Sequence, residues 1–88
     1  MFVHLGGGCL IEAAKIIGIF SVKENKDFYI SLKNKNGESY NIENVSEKAD
    51  TDSVVLTENG IYLSPISAST LQKRINQNLI YNNGGNNG

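Results

Sequence analysis

Hydrophobic and polar residues follow each other in short runs along most of this chain, and this pattern predicts short β-strands. The runs are rich in β-branched and aromatic residues, which favour strands. The predicted strands are residues 2–5, 9–11, 16–22, 53–57 and 61–64. The run at 16–22 is apolar along nearly its whole length, which suggests burial on both faces, by the core and by a neighbouring subunit.

Two of the connections between these strands contain residues typical of tight turns. Three glycines at 6–8 join the first two strands, and glycine readily adopts the positive φ angles that hairpin turns need. Asn59-Gly60 joins the strands at 53–57 and 61–64, and Asn-Gly between apolar runs is a strong hairpin signal. The sequence therefore predicts two β-hairpins.

The segment 24–45 supports two interpretations. Phe28, Ile30 and Leu32 alternate as in a strand, and Asn36-Gly37 would then be a hairpin turn. Alternatively, Asn25 caps a helix in which Phe28 and Leu32 share one face, and Gly37 follows its end. The local pattern slightly favours the hairpin.

A helix is predicted from Ser67 onward. Ser67 is a favourable N-cap, and Leu71, Ile75 and Leu79 recur every four residues as one apolar stripe. The helix is expected to fray near Asn82, because residues 82–88 contain only Asn and Gly and have no apolar side chain to bury. We therefore expect one domain over residues 1–81 and a disordered tail over 82–88.

Charge and size limit the possible functions. The 88 residues include 8 Lys and Arg against 9 Asp and Glu, so a net charge of −1 provides no overall attraction to nucleic acid or to a membrane. A folded domain of about 80 residues with one hydrophobic core is only marginally stable, which favours oligomerisation. No apolar run is long enough to span a membrane, and no signal peptide is visible. With a single cysteine, a cytoplasmic protein is expected.

Candidate catalytic groups are few. His4 is the only histidine and Cys9 the only cysteine, whereas a closed zinc site needs four ligands. The hydroxyls around Pro65 match no nucleophile motif and are explained by capping. We therefore expect no enzymatic activity, no cofactor and no metal.

Two blocks of sequence resemble bacterial extracellular matrix regulators of the RemA/RemB family, and the RemB branch in particular. The first block comprises Phe2-Val3-His4-Leu5-Gly6-Gly7 and Ile16-Ile17-Gly18-Ile19-Phe20. The second is Ile61-Tyr62-Leu63-Ser64-Pro65-Ile66-Ser67-Ala68-Ser69-Thr70-Leu71-Gln72-Lys73-Arg74. The resemblance covers residues 1 to about 75.

The resemblance implies an α+β fold similar to the LytTR DNA-binding fold. It has a small antiparallel sheet of about five strands, a middle helix that replaces the alternative hairpin at 25–36, and a C-terminal helix. It also implies a ring-shaped homo-oligomer that binds double-stranded DNA and regulates biofilm matrix genes. Of the arginines that contact DNA in the RemA branch, one corresponds to Lys15, and a pair falls near Lys48 and Ala49. Lys can neutralise a phosphate but lacks the bidentate fork of Arg.

Two functional hypotheses follow. In the first, the chain binds DNA as a ring through Lys15, Lys48, Lys73 and Arg74. In the second, it is a structural or protein-interaction module that co-assembles with a RemA-like protein and has little DNA affinity, because Asp50 and Asp52 would repel phosphates. In both, the expected subunit interface contains Ile16, Ile17, Ile19 and Phe20, or alternatively lies on the first hairpin.

Overall fold

The computed structural model describes residues 1–35, 41–46 and 49–87, with side chains of the last helix described through Gln77. Within these described residues, six strands and two helices follow one another. They are β1 (Phe2–Gly6), β2 (Cys9–Glu12), β3 (Ile16–Ser21), α1 (Lys26–Lys35), β4 (Ile42–Asn44), β5 (Ser53–Thr57), β6 (Gly60–Ser64) and α2 (Ala68–Asn87). A single 3-10 turn, Ala13–Lys15, connects β2 to β3. The expected α+β class is confirmed.

The strands form two sheets. β1 and β2 make an antiparallel hairpin, and the other four strands form a sheet with the order β3-β5-β6-β4. β4 runs parallel to β6, with Ile42 opposite Ile61 and Asn44 opposite Leu63. The expectation of one antiparallel sheet of about five strands was therefore wrong. A parallel neighbour needs a long crossover, here from β4 through β5 to β6, and local patterns do not reveal it.

Both predicted hairpins are present. Gly7 and Gly8 form the first turn with φ angles of 52° and 78°, which a residue with a side chain rarely adopts. In the second, Glu58 and Asn59 form the turn, and the hydroxyl of Thr57 donates to the carbonyl of Gly60 at 2.8 Å. Gly60 is also required for close backbone packing, because a Cβ at this position would lie 2.6 Å from the carbonyl oxygen of Asn41. It thus allows the start of β4 to approach β6.

The four-stranded sheet is covered on both faces. Strand alternation sends Val55 and Tyr62 to one face, where they pack with the hairpin residues Val3 and Leu5 and with Leu71 of α2. The adjacent residues of these strands point to the opposite face of the sheet. There Val54, Ile61 and Leu63 pack against Leu32 of α1. The hairpin and α2 therefore lie on one side of the sheet, and α1 lies on the other.

The middle segment is helical, so the helix implied by the family resemblance is confirmed over Lys26–Lys35 and the locally favoured hairpin is wrong. The carbonyl of Asn25 accepts the first helical hydrogen bond, from the amide of Tyr29 at 3.0 Å. Its side chain donates to the carbonyl of Ser21 at 2.9 Å, so it joins the helix to β3 instead of capping helical amides. Burial of Leu32 against the sheet outweighs the strand-like alternation. The predicted turn at 36–37 lies outside the described residues.

Ser67 caps α2 as expected. Its hydroxyl accepts a hydrogen bond from the amide of Thr70 at 3.1 Å, and its carbonyl accepts one from the amide of Leu71 at 3.0 Å. Leu71 is fully buried, and Ile75 packs against the same cluster. The helix ends at Asn87, beyond the expected end near Asn82. The disordered tail at 82–88 stays a prediction.

Two buried serines hold the hairpin and α2 in position against the sheet. The hydroxyl of Ser64 donates to the carbonyl of Leu5 at 2.7 Å and accepts from the amide of Ile66 at 3.0 Å. The hydroxyl of Ser53 donates to the carbonyl of Ile66 at 2.7 Å. Both serines are fully buried. These bonds satisfy backbone groups where the chain leaves the sheet and enters α2.

Candidate nucleic-acid interface

Lys15 lies on the hairpin side of the sheet. It ends the 3-10 turn, its side chain is exposed, and its carbonyl accepts a hydrogen bond from the amide of Glu58 at 3.0 Å. This bond joins the turn to the tip of the second hairpin, so the backbone beneath the ammonium group is held in place. Lys15 borders a surface pocket of about 220 Å³ that Phe2, Leu10, Glu12 and other residues also line.

Arg74 lies on the first turns of α2 and faces β1. Its guanidinium donates a hydrogen bond to the carbonyl of His4 at 3.0 Å, across 70 positions of sequence. Arg74 borders a second surface pocket, of about 270 Å³, together with Phe2, Val3, His4 and Gln77. A guanidinium has five N–H donors, so it can hold this carbonyl and still present donors to an anion. Lys73 beside it is exposed.

The structure thus brings two of the four expected DNA-binding residues into neighbouring pockets. Lys15 and Arg74 both lie beside Phe2, which borders both pockets. Lys73 is on the same helix as Arg74, one position earlier. Lys48 lies outside the described residues.

Sequence reasoning missed Phe2 as a member of this surface. Phe2 and His4 alternate with the buried Val3 and Leu5 along β1, so their outward position is readable from the strand period. An aromatic residue in an apolar strand is normally assigned to the core, and only the register of the hairpin shows that Phe2 lies opposite Glu12. Phe2 is 63% exposed.

One acidic side chain lies beside Lys15, and two others lie at the opposite end of β5. Glu12 borders the same pocket as Lys15 and is exposed. Asp50 is exposed and Asp52 half-buried in the segment that leads into β5, beside the exposed Ala49. The amide of Asp52 donates to the carbonyl of Ser64 at 2.8 Å, so its position is fixed by the sheet. The local field beside Lys15 is therefore mixed in sign because of Glu12.

The predicted interface residues lie on β3, which is an edge strand of the four-stranded sheet. Ile17 is 68% exposed. Ile16 and Ile19 are half-buried against the hairpin-side core, and Phe20 is half-buried against the α1-side core. Only Ile17 among these four therefore offers most of its side chain to a partner, while the strand edge offers backbone groups.

A second small cluster joins the hairpin to the sheet. Burial raises the pKa of the Cys9 thiol, and the nearby carboxylate of Glu43 raises it further. Burial likewise raises the pKa of the Tyr62 hydroxyl, with smaller contributions from Glu43 and Cys9. A protonated thiol is a poor nucleophile and a poor metal ligand. Among the described residues, no group of three or more His, Cys, Asp and Glu is placed to hold a metal ion.

Comparison with known proteins places these features in a family. The family model described as RemA-like, extracellular matrix regulatory protein A-like, matches residues 2–75. This chain belongs to the RemA-like family. It is also similar to extracellular matrix regulatory protein B of Bacillus subtilis strain 168, with 35% identity over 79 residues, which cover 84% of this chain and 89% of that protein.

The matched range in the RemA-like family includes both sheets, α1 and the start of α2. It therefore contains Phe2, Lys15, Lys73 and Arg74. In the part of the chain that the structure describes, no helix is long and apolar enough to cross a membrane.

Proposed function

We propose that this protein regulates extracellular matrix genes and binds double-stranded DNA through a ring-shaped homo-oligomer in the cytoplasm. The observation that carries this proposal is membership of the RemA-like family over residues 2–75. The similar protein of Bacillus subtilis is itself described as an extracellular matrix regulatory protein. We further propose that the chain acts by binding and not as an enzyme.

The distribution of cations supports DNA contact on the hairpin side. Lys15 and Lys73 are exposed, and Arg74 is held beside β1 by its bond to the carbonyl of His4. Each such cation can neutralise one phosphate. Because the net charge of one chain is −1, a single copy is a weak DNA ligand. A ring repeats the same few contacts around its rim, so its affinity for a long duplex greatly exceeds that of one subunit.

The position of β3 supports assembly through the predicted interface. A strand at a sheet edge carries backbone N–H and C=O groups that can pair with another chain. Ile17, which is 68% exposed at that edge, supplies an apolar anchor. Replacing Ile17 by Glu is expected to reduce the oligomer size measured by light scattering after gel filtration, and an unchanged size would refute this interface.

An electrophoretic mobility shift titration at low salt tests the DNA-binding step. The wild-type protein is expected to retard duplex DNA, with an affinity that falls steeply as salt rises. Lys15→Ala is expected to weaken binding and to make the salt dependence shallower by about one unit per contacting subunit. Lys26→Ala is the matched control, since it removes the same charge from α1 on the opposite side of the sheet. A folded, oligomeric protein that leaves the duplex unretarded contradicts the proposal.

A second function is favoured by the acidic residues. The net charge of −1, the exposed Asp50 and the uncharged Ala49 fit a protein-interaction module that co-assembles with a RemA-like partner and has little DNA affinity. Mixing the two proteins and measuring the mass of the complex tests this alternative. Co-assembly without DNA retardation by this chain alone supports it, and separate masses oppose it.

A further inference from the structure

The outward face of the first hairpin carries an exposed apolar pair. The register places Phe2 opposite Glu12 and His4 opposite Leu10, so Phe2 and Leu10 are diagonal neighbours on one face. Phe2 is 63% exposed and Leu10 is 60% exposed, whereas Val3 and Leu5 on the inner face are buried. Both outward residues border the pocket of about 220 Å³. Single exposed apolar residues are common on protein surfaces, whereas adjacent exposed apolar residues indicate a binding surface.

Cations flank this apolar pair. Lys15 borders the same pocket as Phe2 and Leu10, and Arg74 borders the adjoining pocket that shares Phe2. The bond from Arg74 to the carbonyl of His4 fixes the guanidinium beside the strand that carries Phe2. Glu12 also borders the pocket beside Lys15, and the carboxylate of Glu43 is close enough to raise the pKa of Tyr62, which lines the same pocket.

An apolar wedge on a two-stranded ribbon, with cations beside it, matches the chemistry of a DNA duplex. The wedge can enter between base steps, which partly unstacks them, while the cations neutralise the adjacent phosphates. A purely apolar partner would leave Lys15 and Arg74 without counter-charges, which costs desolvation energy. The two cations beside the apolar pair therefore favour an anionic partner, and the phosphates of duplex DNA supply that charge.

We propose that Phe2, supported by Leu10, inserts against the bases of duplex DNA while Lys15 and Arg74 contact the flanking phosphates. This inference rests on the proposed DNA binding and adds the residues that touch the bases. It assigns Glu12 an opposing role, because its carboxylate lies beside the phosphate that Lys15 would contact. Removing that carboxylate should strengthen binding.

A tryptophan substituted at position 2 reports directly on this contact. The sequence contains no tryptophan, so Phe2→Trp introduces a single indole fluorophore into the full-length protein. Its emission is expected to be quenched and shifted to shorter wavelength when duplex DNA is added, with reduced accessibility to acrylamide. Ile30→Trp is the matched control, because Ile30 is 52% exposed on α1, on the opposite side of the sheet. Its emission is expected to stay unchanged.

Affinity measurements complete the test. Phe2→Ala is expected to weaken duplex binding by about tenfold, as is typical when a base-stacking aromatic residue is removed. Phe2→Leu, which keeps an apolar wedge, is expected to lose less. Glu12→Gln is expected to bind more tightly than wild type at low salt, with the difference fading as salt rises.

The outcomes separate this inference from the function on which it rests. If the wild-type protein binds no DNA, the proposed function fails and the inference fails with it. If DNA binds with wild-type affinity to Phe2→Ala and leaves the Phe2→Trp emission unchanged, only the inference is overturned. If the Phe2→Trp emission changes with protein concentration, in step with oligomer size and without DNA, a second copy covers this face and the inference is also overturned.

Discussion

The hydroxyl of Ser64 links three parts of the fold, and its removal should destabilise all three together. Ser64 is fully buried at the end of β6. Its hydroxyl donates to the carbonyl of Leu5 at 2.7 Å and accepts from the amide of Ile66 at 3.0 Å. The first bond holds the hairpin against the sheet, and the second shapes the entry into α2. Ser64→Ala removes both bonds while changing the side-chain volume little.

The expected loss follows from the two backbone groups left without partners. A buried polar group without a hydrogen bond costs about 1–3 kcal/mol. The Leu5 carbonyl lies in a buried bond and the Ile66 amide in a partly buried one, so water can compensate part of the second loss. We expect Ser64→Ala to lower the free energy of unfolding by about 2–4 kcal/mol. Because a single core of this size rarely supplies more than about 3–5 kcal/mol, the variant should be close to unfolding at room temperature.

Urea denaturation followed by circular dichroism measures this loss, with wild type and variant at the same protein concentration because assembly adds stability. The midpoint should fall while the slope stays the same. Ser69→Ala is the control, since Ser69 is exposed and its hydroxyl contacts only the hydroxyl of Ser67, at 3.2 Å. Its expected change is within about 0.5 kcal/mol. If Ser64→Ala loses no more stability than this control, the two hydrogen bonds of Ser64 do not stabilise the fold by the expected amount.

Three further predictions concern other parts of the molecule. Gly60→Ala should destabilise the protein by about 1–3 kcal/mol, because φ is 149° and the new Cβ would lie 2.6 Å from the Asn41 carbonyl oxygen; unchanged thermal unfolding would contradict this. Leu71→Ala should cost about 2–5 kcal/mol in urea denaturation, because the leucine is fully buried, whereas Gln72→Ala, on the exposed face, should have little effect. Iodoacetamide at pH 8 should alkylate Cys9 more slowly in the folded protein than in urea, because the raised pKa of the Cys9 thiol lowers its thiolate fraction. Glu43→Gln should speed alkylation of the folded protein, because it removes a charge that raises this pKa. Equal rates for the folded and unfolded protein would refute this prediction.

Elements with strong local signals were predictable from the sequence. Asn59-Gly60 between two β-branched runs predicted the β5–β6 hairpin, and Ser67 followed by Leu71 predicted the start of α2. In each case the residues that determine the structure are within a few positions of one another.

The middle segment and the sheet topology were not predictable in this way. The alternation of Phe28, Ile30 and Leu32 favoured a strand, and only contact of Leu32 with the far face of the sheet stabilises the helix. The parallel pairing of β4 with β6 depends on residues about 20 positions apart and on the missing side chain at Gly60. Such pairings depend on long-range contacts, which local propensity does not encode.

The candidate DNA-binding surface was likewise predictable from the sequence only in part. Sequence alone determined that Lys15, Lys48, Lys73 and Arg74 were the cations to consider, because charge and family resemblance are properties of the chain. Only the tertiary structure decided that Lys15 and Arg74 border two pockets that share Phe2. These two cations are 59 positions apart in the sequence, and packing of α2 on the hairpin brings them both near the Phe2 ring. A binding surface depends on which side chains share a face. In this fold, the register of β1 and β2 and the hydrogen bond from Arg74 to the carbonyl of His4 determine which side chains lie together.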